Sequence, residues 1–493
     1  MGNKEYKSAF KATGLLGGVN LVVMLISALQ SKIIVLLIGP SGYGLMSLFS
    51  TTISLIGTST NLGLSSSAIR DIAKAYGENN KKRLTQKIIA IRRCVFLTGV
   101  LGALVTIFLS PYLSVWTFKS KDYIWSFVLL SMAVCGASLN GGNGAVILGC
   151  RRLVYLSKSK IGSALTGLLL AIVIFFFFKE KGIIFYFIVT TFFSVGISFY
   201  FFLKIRNAEM LVNESQSLKQ SLYEGYDSMK LGIMMSLSAA VALLTEYIVK
   251  AYIMRCGGAV YVGLYQAAWS INTVYLGVIF NAMSTDYYPR LSLISADNNK
   301  VTECVNQQSE IALLLLGPLI VLMIIFIHPL ILIFYSEKFL PMVSMAQLLL
   351  IGTFVKAGSW AIGYIYLAKG DGKTYLINEL GLQLFILPSY LVAFTYGGLE
   401  SIGFVFIANQ LLYFVWVSFI AKRKYDYRNS MSFWKMCVVM LIIILVCLFI
   451  DRAAIQFNMI AQAILSIILL VYSYYELNKR VGIKAIMFKL LKR

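Results

Sequence analysis

The chain has 493 residues, of which 59% are hydrophobic and 13% are charged. A soluble protein would carry about 25% charged residues, so this composition excludes a water-soluble enzyme of the same length. The formal net charge of +23 would suit a nucleic-acid partner, but only if the basic residues lay together on a soluble surface.

Apolar runs of about 20 residues recur along the whole chain, and each can cross a hydrocarbon core of about 30 Å. They predict an all-α polytopic membrane protein with about fourteen transmembrane helices. The longest polar segment is close to 204–230, which leaves no room for a soluble catalytic domain, so we expect no enzyme. The predicted spans are 13–38, 45–67, 94–116, 123–148, 161–178, 182–203, 231–254, 259–283, 310–334, 342–368, 374–395, 399–421, 434–450 and 455–475.

The basic residues are distributed asymmetrically between alternate loops. If both termini are cytoplasmic, most of the 44 lysines and arginines fall in cytoplasmic loops, including Arg70 to Arg93, Lys422 to Lys424 and the tail from Lys479. This bias is typical of cytoplasmic loops and fixes the orientation. The charge therefore predicts contact with anionic lipids and no binding of nucleic acid.

A weak internal repeat indicates two related halves. Lys32, Gly39 and Tyr43 recur 218 residues later, and Asn61 and Arg70 recur 220 residues later. The later copies are Lys250, Gly257, Tyr261, Asn281 and Arg290. Six spans separate the copies, so both have the same orientation and the halves are expected to share an axis along the membrane normal.

The repeat predicts the domain organisation. We expect an N-terminal lobe of six helices at 1–203, a cytoplasmic linker at 204–230 and a second lobe of six helices at 231–421. Two further helices at 434–475 and a basic tail at 476–493 complete the chain. In transporters built this way the cargo site lies between the halves near the middle of the membrane.

Three lysines lie inside predicted spans, where a charge costs at least about 2.5–3.5 kcal/mol. Lys356 is near the centre of its span, too deep for its side chain to reach the headgroups. We predict that it faces an anionic cargo, and the alternative is a structural ion pair with another helix. Lys32 lies near the outer end of its span, so contact with cargo and contact with headgroups are both open. Lys250 follows Glu246 by four residues, which favours either a self-neutralising pair or an anion contact beside a proton or sodium site.

Other polar residues extend this predicted cationic cavity. Glu246 is the carboxylate that we place well inside a span, and it is the candidate for coupling to H+ or Na+. Arg255, at the outer end of the same helix, is either an interface anchor or a receiver for an emerging phosphate. Asn61, Asn272 and Asn281 either join helices or contact sugar hydroxyls and a pyrophosphate.

The sequence contains no cluster typical of a metal site or of a catalytic nucleophile. The seven cysteines have no CxxC spacing and mostly lie in or beside spans, where they are expected to act as small apolar side chains. We expect no cofactor.

The segments KIIVLLIGPSGYGL (32–45) and LGLSSSAIRDIAK (62–74), with the basic loop that continues to Arg93, resemble bacterial O-antigen and polysaccharide flippases. These belong to the multidrug/oligosaccharidyl-lipid/polysaccharide exporter superfamily. The resemblance implies alternating access, a bacterial inner-membrane location and transfer of an undecaprenyl-pyrophosphate-linked oligosaccharide from the cytoplasmic to the periplasmic leaflet. It also implies that Lys32, Lys250 and Lys356 can serve as cationic cavity residues, and that glycan polymerase or ligase machinery can be a partner.

Three alternative functions also agree with a chain that crosses the membrane many times. A multidrug or cation antiporter of the same superfamily would need carboxylates in its cavity, whereas the lysines in the spans outnumber Glu246. A lipid II-type flippase agrees with fourteen spans. A membrane-embedded polymerase or ligase would need long outer loops, and the predicted outer loops, such as 39–44 and 255–258, are short.

Overall fold

The protein is described by a computed structural model that covers residues 3–78, 80–208, 218–452 and 458–481. These residues are helical throughout, with short connections and no β-strand. The predicted linker at 204–230 and the predicted tail at 476–493 lie partly outside the described residues. A helix that begins at Leu218 already occupies the second half of the predicted linker.

Contacts divide the chain into two compact units, Met1–Gly263 and Leu264–Arg493. In the first unit α3 packs against α4 and α7, α4 against α6, and α1 against α5. Its helices are α1 (Asn3–Asn61), α2 (Leu64–Gly77), α3 (Lys81–Phe118), α4 (Ile124–Gly149), α5 (Leu153–Phe178), α6 (Ile183–Ala208), α7 (Leu218–Gly257) and the start of α8 (Ala259–Ser270).

In the second unit α12 packs along α13, and α10 packs against α12, α14 and α15. A five-residue π-helix, Ile271–Tyr275, joins α8 to the next helix. The helices are α9 (Leu276–Leu293), α10 (Asn298–Ile325), α11 (Ile327–Phe334), α12 (Val343–Ala368), α13 (Gly372–Tyr425), α14 (Met431–Arg452) and α15 (Asn458–Val481).

Side-chain caps mark the starts of three of these helices. Asn80 accepts a hydrogen bond from the backbone N–H of Arg83 at the start of α3. Asp297 caps α10 in the same way, and Asp371 caps α13. Each cap satisfies backbone donors that have no partner within the helix, so each of these helices starts at a defined residue.

Ten of the described helical segments are long and apolar enough to cross a membrane. Three of them, at 17–61, 153–207 and 372–425, have 45 to 55 residues, far more than one crossing requires. Each contains a break: Gly39 (φ 66°), the 3-10 turn Lys179–Gly182 and Gly398 (φ 64°). These three segments can therefore supply two crossings each, and the total of fourteen stays a prediction.

The outer surface supports this membrane assignment. Large apolar side chains such as Phe108 (74% exposed), Phe177 (72%) and Phe385 (61%) point away from the protein. Exposed apolar surface on this scale is unfavourable in water and ordinary against lipid. The chain is therefore a multi-pass membrane protein.

One sequence-based expectation is corrected in the second predicted span, 45–67. Leu62 and Gly63 both have positive φ, so α1 ends at Asn61 and α2 starts at Leu64. The predicted span is thereby divided, with Asn61 at the end of α1 and Ser65 on α2. The helix breaks at Leu62 and Gly63, where the glycine adopts the left-handed conformation at little cost.

The two copies of the repeat contact each other within the first unit. A Cβ added to Gly44 would collide with the Ala259 carbonyl oxygen, and a Cβ added to Gly263 would collide with the Pro40 carbonyl oxygen. A positive-φ glycine follows the lysine helix in each copy, at Gly39 and at Gly258. Each copy thus has a helix break at a glycine, although in the second copy this is Gly258 and not the predicted Gly257, and the close backbone crossing is made by Gly44 and Gly263.

Candidate functional site

Lys356 lies in the middle of α12, about 20 Å from either end of the helix. The adjacent glycines allow α12 and α13 to pack tightly, because a Cβ on Gly352 would collide with the Phe406 ring. This close approach agrees with the glycine pattern around Lys356 in the sequence. The lysine is therefore held on a rigid, tightly packed helix.

The Lys356 side chain is exposed although the flanking residues of α12 are mostly buried. Its ammonium lies 5.7 Å from the centre of the Phe280 ring, which packs against Trp360. Among the described residues it donates no hydrogen bond and has no carboxylate within 4 Å. A charge exposed at this depth indicates a polar opening, because hydrocarbon would leave the ammonium unsolvated.

Glu379 is the acidic residue whose charge acts on Lys356. It is half-buried on α13 and accepts a hydrogen bond from the Tyr413 hydroxyl at 3.3 Å. It was not among the predicted site residues, although position 379 lies inside the predicted span 374–395, five residues after its first residue. The site in the second unit is thus a lysine and a carboxylate that are near each other without a direct bond.

Asn272 belongs to the same unit and is buried. Its Oδ1 accepts a hydrogen bond from the Thr353 hydroxyl at 2.5 Å, one turn before Lys356 on α12. Asn272 lies in the π-helix, an irregularity that is frequent at functional sites. Asn281, by contrast, is exposed on α9, and its described contacts run from its backbone carbonyl to Ser284 and Thr285.

Lys250 has the opposite environment, although it also lies inside a span. It is 1% exposed and donates hydrogen bonds to Glu246 Oε1 at 2.6 Å and to Thr51 Oγ1 at 2.7 Å. Glu246 keeps 30% of its side chain exposed. The i, i+4 pair that the sequence allows is formed, and Thr51 on α1 completes the coordination of the ammonium.

The remaining predicted residues are spread over the first unit. Lys32 is half-buried on α1. Arg255 is exposed in the last turn of α7, where its carbonyl accepts a hydrogen bond from Lys119 at 3.3 Å. Asn61 donates to Ser65 at 2.9 Å, and its buried Oδ1 has no hydrogen-bond partner among the described residues. That oxygen is free to accept a hydrogen bond from a bound molecule.

Metal coordination is not indicated by the described residues, which contain no group of three or more His, Cys, Asp or Glu side chains able to hold an ion. The described cysteines are free thiols and mostly buried or half-buried. The site chemistry available is therefore electrostatic and hydrogen-bonding, carried by lysines, carboxylates and amides.

Solved structures similar to this chain define the class of fold. The lipid II flippase MurJ in an inward closed conformation matches with a TM-score of 0.71 at 15% identity, covering 95% of this chain and 99% of that one. An inward-facing multidrug resistance MATE family transporter of the MOP superfamily gives 0.67 at 13%, covering 83% and 98%. The MATE multidrug transporter DinF-BH gives 0.63 at 17%, covering 86% and 96%. The chain has the helical fold shared by these transporters.

The amino-acid sequence assigns the chain to a protein family. The family model described as "Polysaccharide biosynthesis protein" matches residues 33–344, which is more than half of the chain. The chain therefore belongs to the polysaccharide biosynthesis protein family, and the resemblance drawn from its sequence is confirmed at this level. No curated protein matches it significantly over its sequence.

Proposed function

We propose that this protein is a flippase that moves a polyprenyl-pyrophosphate-linked oligosaccharide, such as an O-antigen repeat unit, from the cytoplasmic to the periplasmic leaflet. The observation that carries the proposal is Lys356, an exposed cation at the centre of a tightly packed helix with no direct anionic partner among the described residues. Such a residue is costly to keep in a membrane unless an anion binds it. A pyrophosphate supplies that anion.

Lys356 is the proposed first contact of the pyrophosphate. Glu379 lies near enough to act on its charge but leaves the ammonium unbonded, so a phosphate oxygen can take that place without breaking an ion pair. Lys250 would have to break its bond to Glu246 before it could bind the cargo, so we assign Lys250 to a later step of transport. Lys32, Arg255 and Asn61 of the first unit, and Asn272 and Asn281 of the second, are proposed as further contacts of the cargo.

Coupling to an ion is proposed at the carboxylates. Glu246 is partly exposed while paired with Lys250, so a proton or Na+ can reach it and compete for the pair. Binding of cargo or ion then shifts the populations of inward- and outward-open states, as alternating access requires. Glu379 is a second carboxylate able to act in this way, and it was absent from the sequence-based hypothesis.

The multidrug antiporter is the weaker alternative. The structure adds Glu379 to Glu246, which gives a cationic drug two carboxylates, but each lies beside a lysine. A positive drug would therefore meet cations at both places. The family match to polysaccharide biosynthesis proteins also favours an anionic, lipid-linked glycan over a cationic drug.

A lipid II-type cargo would differ from the proposed polyprenyl-pyrophosphate-linked oligosaccharide only in its glycan. Similarity to MurJ extends over 95% of this chain, compared with 83% for the MATE transporter, so more of the chain has counterparts in the MurJ fold. Both cargoes have a pyrophosphate on a polyprenyl tail, and Lys356 would bind either.

The protein is also proposed to act without cofactors or catalysis in the bacterial inner membrane. Both termini would lie in the cytoplasm, and glycan polymerase or ligase machinery would be its partners.

Gene deletion tests the proposal and identifies the glycan. Mass spectrometry of lipid extracts is expected to show completed oligosaccharide units accumulating on polyprenyl pyrophosphate while surface glycan disappears. Accumulation of lipid II instead would assign the lipid II-type cargo. Unchanged lipid-linked and surface glycan, with increased drug sensitivity, would replace the proposal with the antiporter.

A further inference from the structure

A separate cavity lies in the first unit, where α3, α4 and α6 enclose about 720 Å³. Its lining combines three arginines with apolar, aromatic and small polar side chains, and it contains no aspartate or glutamate. The lining residues are Thr85, Ile88, Ile89, Arg92, Arg93, Val95, Phe96, Leu97, Leu139, Gly142, Asn143, Val195, Phe199, Phe202 and Arg206.

The arginines and the apolar wall lie at different depths. Arg92 and Arg93 directly precede the predicted span 94–116, and Arg206 follows the predicted span 182–203. The guanidinium groups are therefore expected at the level of the lipid headgroups. The apolar lining continues along α3 and α6 into the predicted spans, so the cavity has a cationic mouth and a hydrophobic interior.

The positive charges at the mouth of this cavity favour a bound anion. The Arg92 guanidinium lies 4.2 Å from the Phe202 ring centre and 5.4 Å from that of Phe199, and Arg92 has no carboxylate in ion-pair range among the described residues. Arg206 adds a like charge that acts directly on Arg92. Two cations held together beside aromatic rings repel each other unless a bound anion neutralises them.

We propose that this cavity binds a membrane phospholipid with an anionic headgroup. The phosphate would lie between Arg92 and Arg206, since planar guanidinium groups suit phosphate oxygens, and an acyl chain would cover the apolar wall. Free phosphate would satisfy the arginines but leave that wall uncovered. The bound lipid would join α3, α4 and α6, a role that does not depend on which cargo the protein carries.

Native mass spectrometry of the purified full-length protein tests the proposal. The protein is titrated with phosphatidylglycerol, with phosphatidylcholine of the same chain length and with undecaprenyl phosphate. We expect wild-type protein to retain phosphatidylglycerol about tenfold better than phosphatidylcholine, because basic residues near the membrane surface attract the headgroup with net negative charge. This comparison requires no variant, so misfolding cannot obscure it.

The variants then locate the binding. Arg92→Gln combined with Arg206→Gln is expected to abolish the preference for phosphatidylglycerol, whereas Lys204→Gln should retain it. Lys204 is a matched control because it lies two residues from Arg206 on α6, contacts Tyr200 and does not line the cavity.

Three results would overturn the proposal. Equal retention of the two phospholipids would show that the arginines do not select a headgroup. Displacement of phosphatidylglycerol by millimolar inorganic phosphate would make this a site for free phosphate. Preferred binding of undecaprenyl phosphate would make it a site for the polyprenyl carrier.

Discussion

Lys356 and Lys250 both lie inside predicted spans, yet their surroundings differ. The Lys250 ammonium is enclosed by Glu246 and Thr51, with both bonds shorter than 2.8 Å. The Lys356 side chain is exposed, its ammonium lies 5.7 Å from the Phe280 ring centre, and it donates no hydrogen bond among the described residues. Lys250 is thus satisfied by the protein, whereas Lys356 is available to a ligand.

Lys356→Gln is expected to lower surface glycan by at least about tenfold at normal protein levels, since a charge-assisted hydrogen bond contributes about 1.5–3 kcal/mol. Complementation of a deletion strain measures this effect. Lys373→Gln, an exposed lysine at the start of α13, is the matched control and should restore full glycan. If Lys356→Gln restores glycan as well as the control does, Lys356 has no part in transport.

Glu246→Gln tests the pair in α7. It leaves a buried ammonium without its carboxylate, so we expect a loss of stability of about 1–3 kcal/mol. Thermal unfolding in detergent measures it. Replacing both residues, as Glu246→Gln with Lys250→Met, should recover most of the loss because no buried charge remains. A single variant as stable as wild type would mean that water already solvates Lys250.

At this scale the sequence allowed the pairing of Lys250 with Glu246 to be predicted, because i, i+4 spacing is local. It could not predict Thr51 or Glu379. Thr51 lies 199 residues from Lys250 in the chain, and Glu379 acts on Lys356 from another helix. Contacts of this kind depend on helix packing, which the pattern of apolar residues does not encode.

At the scale of elements, the backbone crossing at Gly44 and Gly263 makes a direct prediction. Gly44→Ala places a methyl group against the Ala259 carbonyl oxygen, and overpacking of this kind costs about 1–3 kcal/mol. Gly57→Ala is the matched control on α1, since no atom lies within 4 Å of its added Cβ, and helix propensity should stabilise it by up to about 1 kcal/mol. Equal melting temperatures for the two variants would show that the crossing is not tight.

The start of α13 makes a prediction about pH. Burial alone would raise the pKa of Asp371, but hydrogen bonds from Tyr425, Thr374 and Lys424 outweigh it and hold the pKa well below its ordinary value of 3.8. The carboxylate therefore stabilises the fold above about pH 4, and this contribution is lost as the pH falls further. Unfolding of wild type and Asp371→Asn should differ most near neutral pH and converge in acid. A difference that is independent of pH would exclude a role for the charge.

The helices themselves were largely predictable, because long apolar runs and their polar boundaries are local features. The breaks within the helices were less predictable from the sequence. The sequence placed a boundary near Gly39, where the structure has one, but continued a span through Leu62 and Gly63, where α1 ends. A single glycine in an apolar helix is common, so its conformation depends on the packing around it.

At the scale of the whole molecule, the fold and the family are established, whereas the cargo is proposed from Lys356. The fold is that of MurJ and MATE transporters, and the family is that of polysaccharide biosynthesis proteins. Neither defines the cargo, because related folds accept different molecules. The proposed cargo therefore depends on the chemistry of Lys356 and its neighbours.

Transfer of cargo by purified protein tests this central claim most directly. Liposomes containing the protein and a fluorescent polyprenyl-pyrophosphate-linked oligosaccharide are treated with an impermeant quencher, which reports the leaflet that holds the label. Wild-type protein is expected to exchange label between leaflets far faster than protein-free liposomes, and Lys356→Gln to slow that exchange by at least about tenfold. Exchange no faster than in protein-free liposomes, or equal in the variant, would contradict the account.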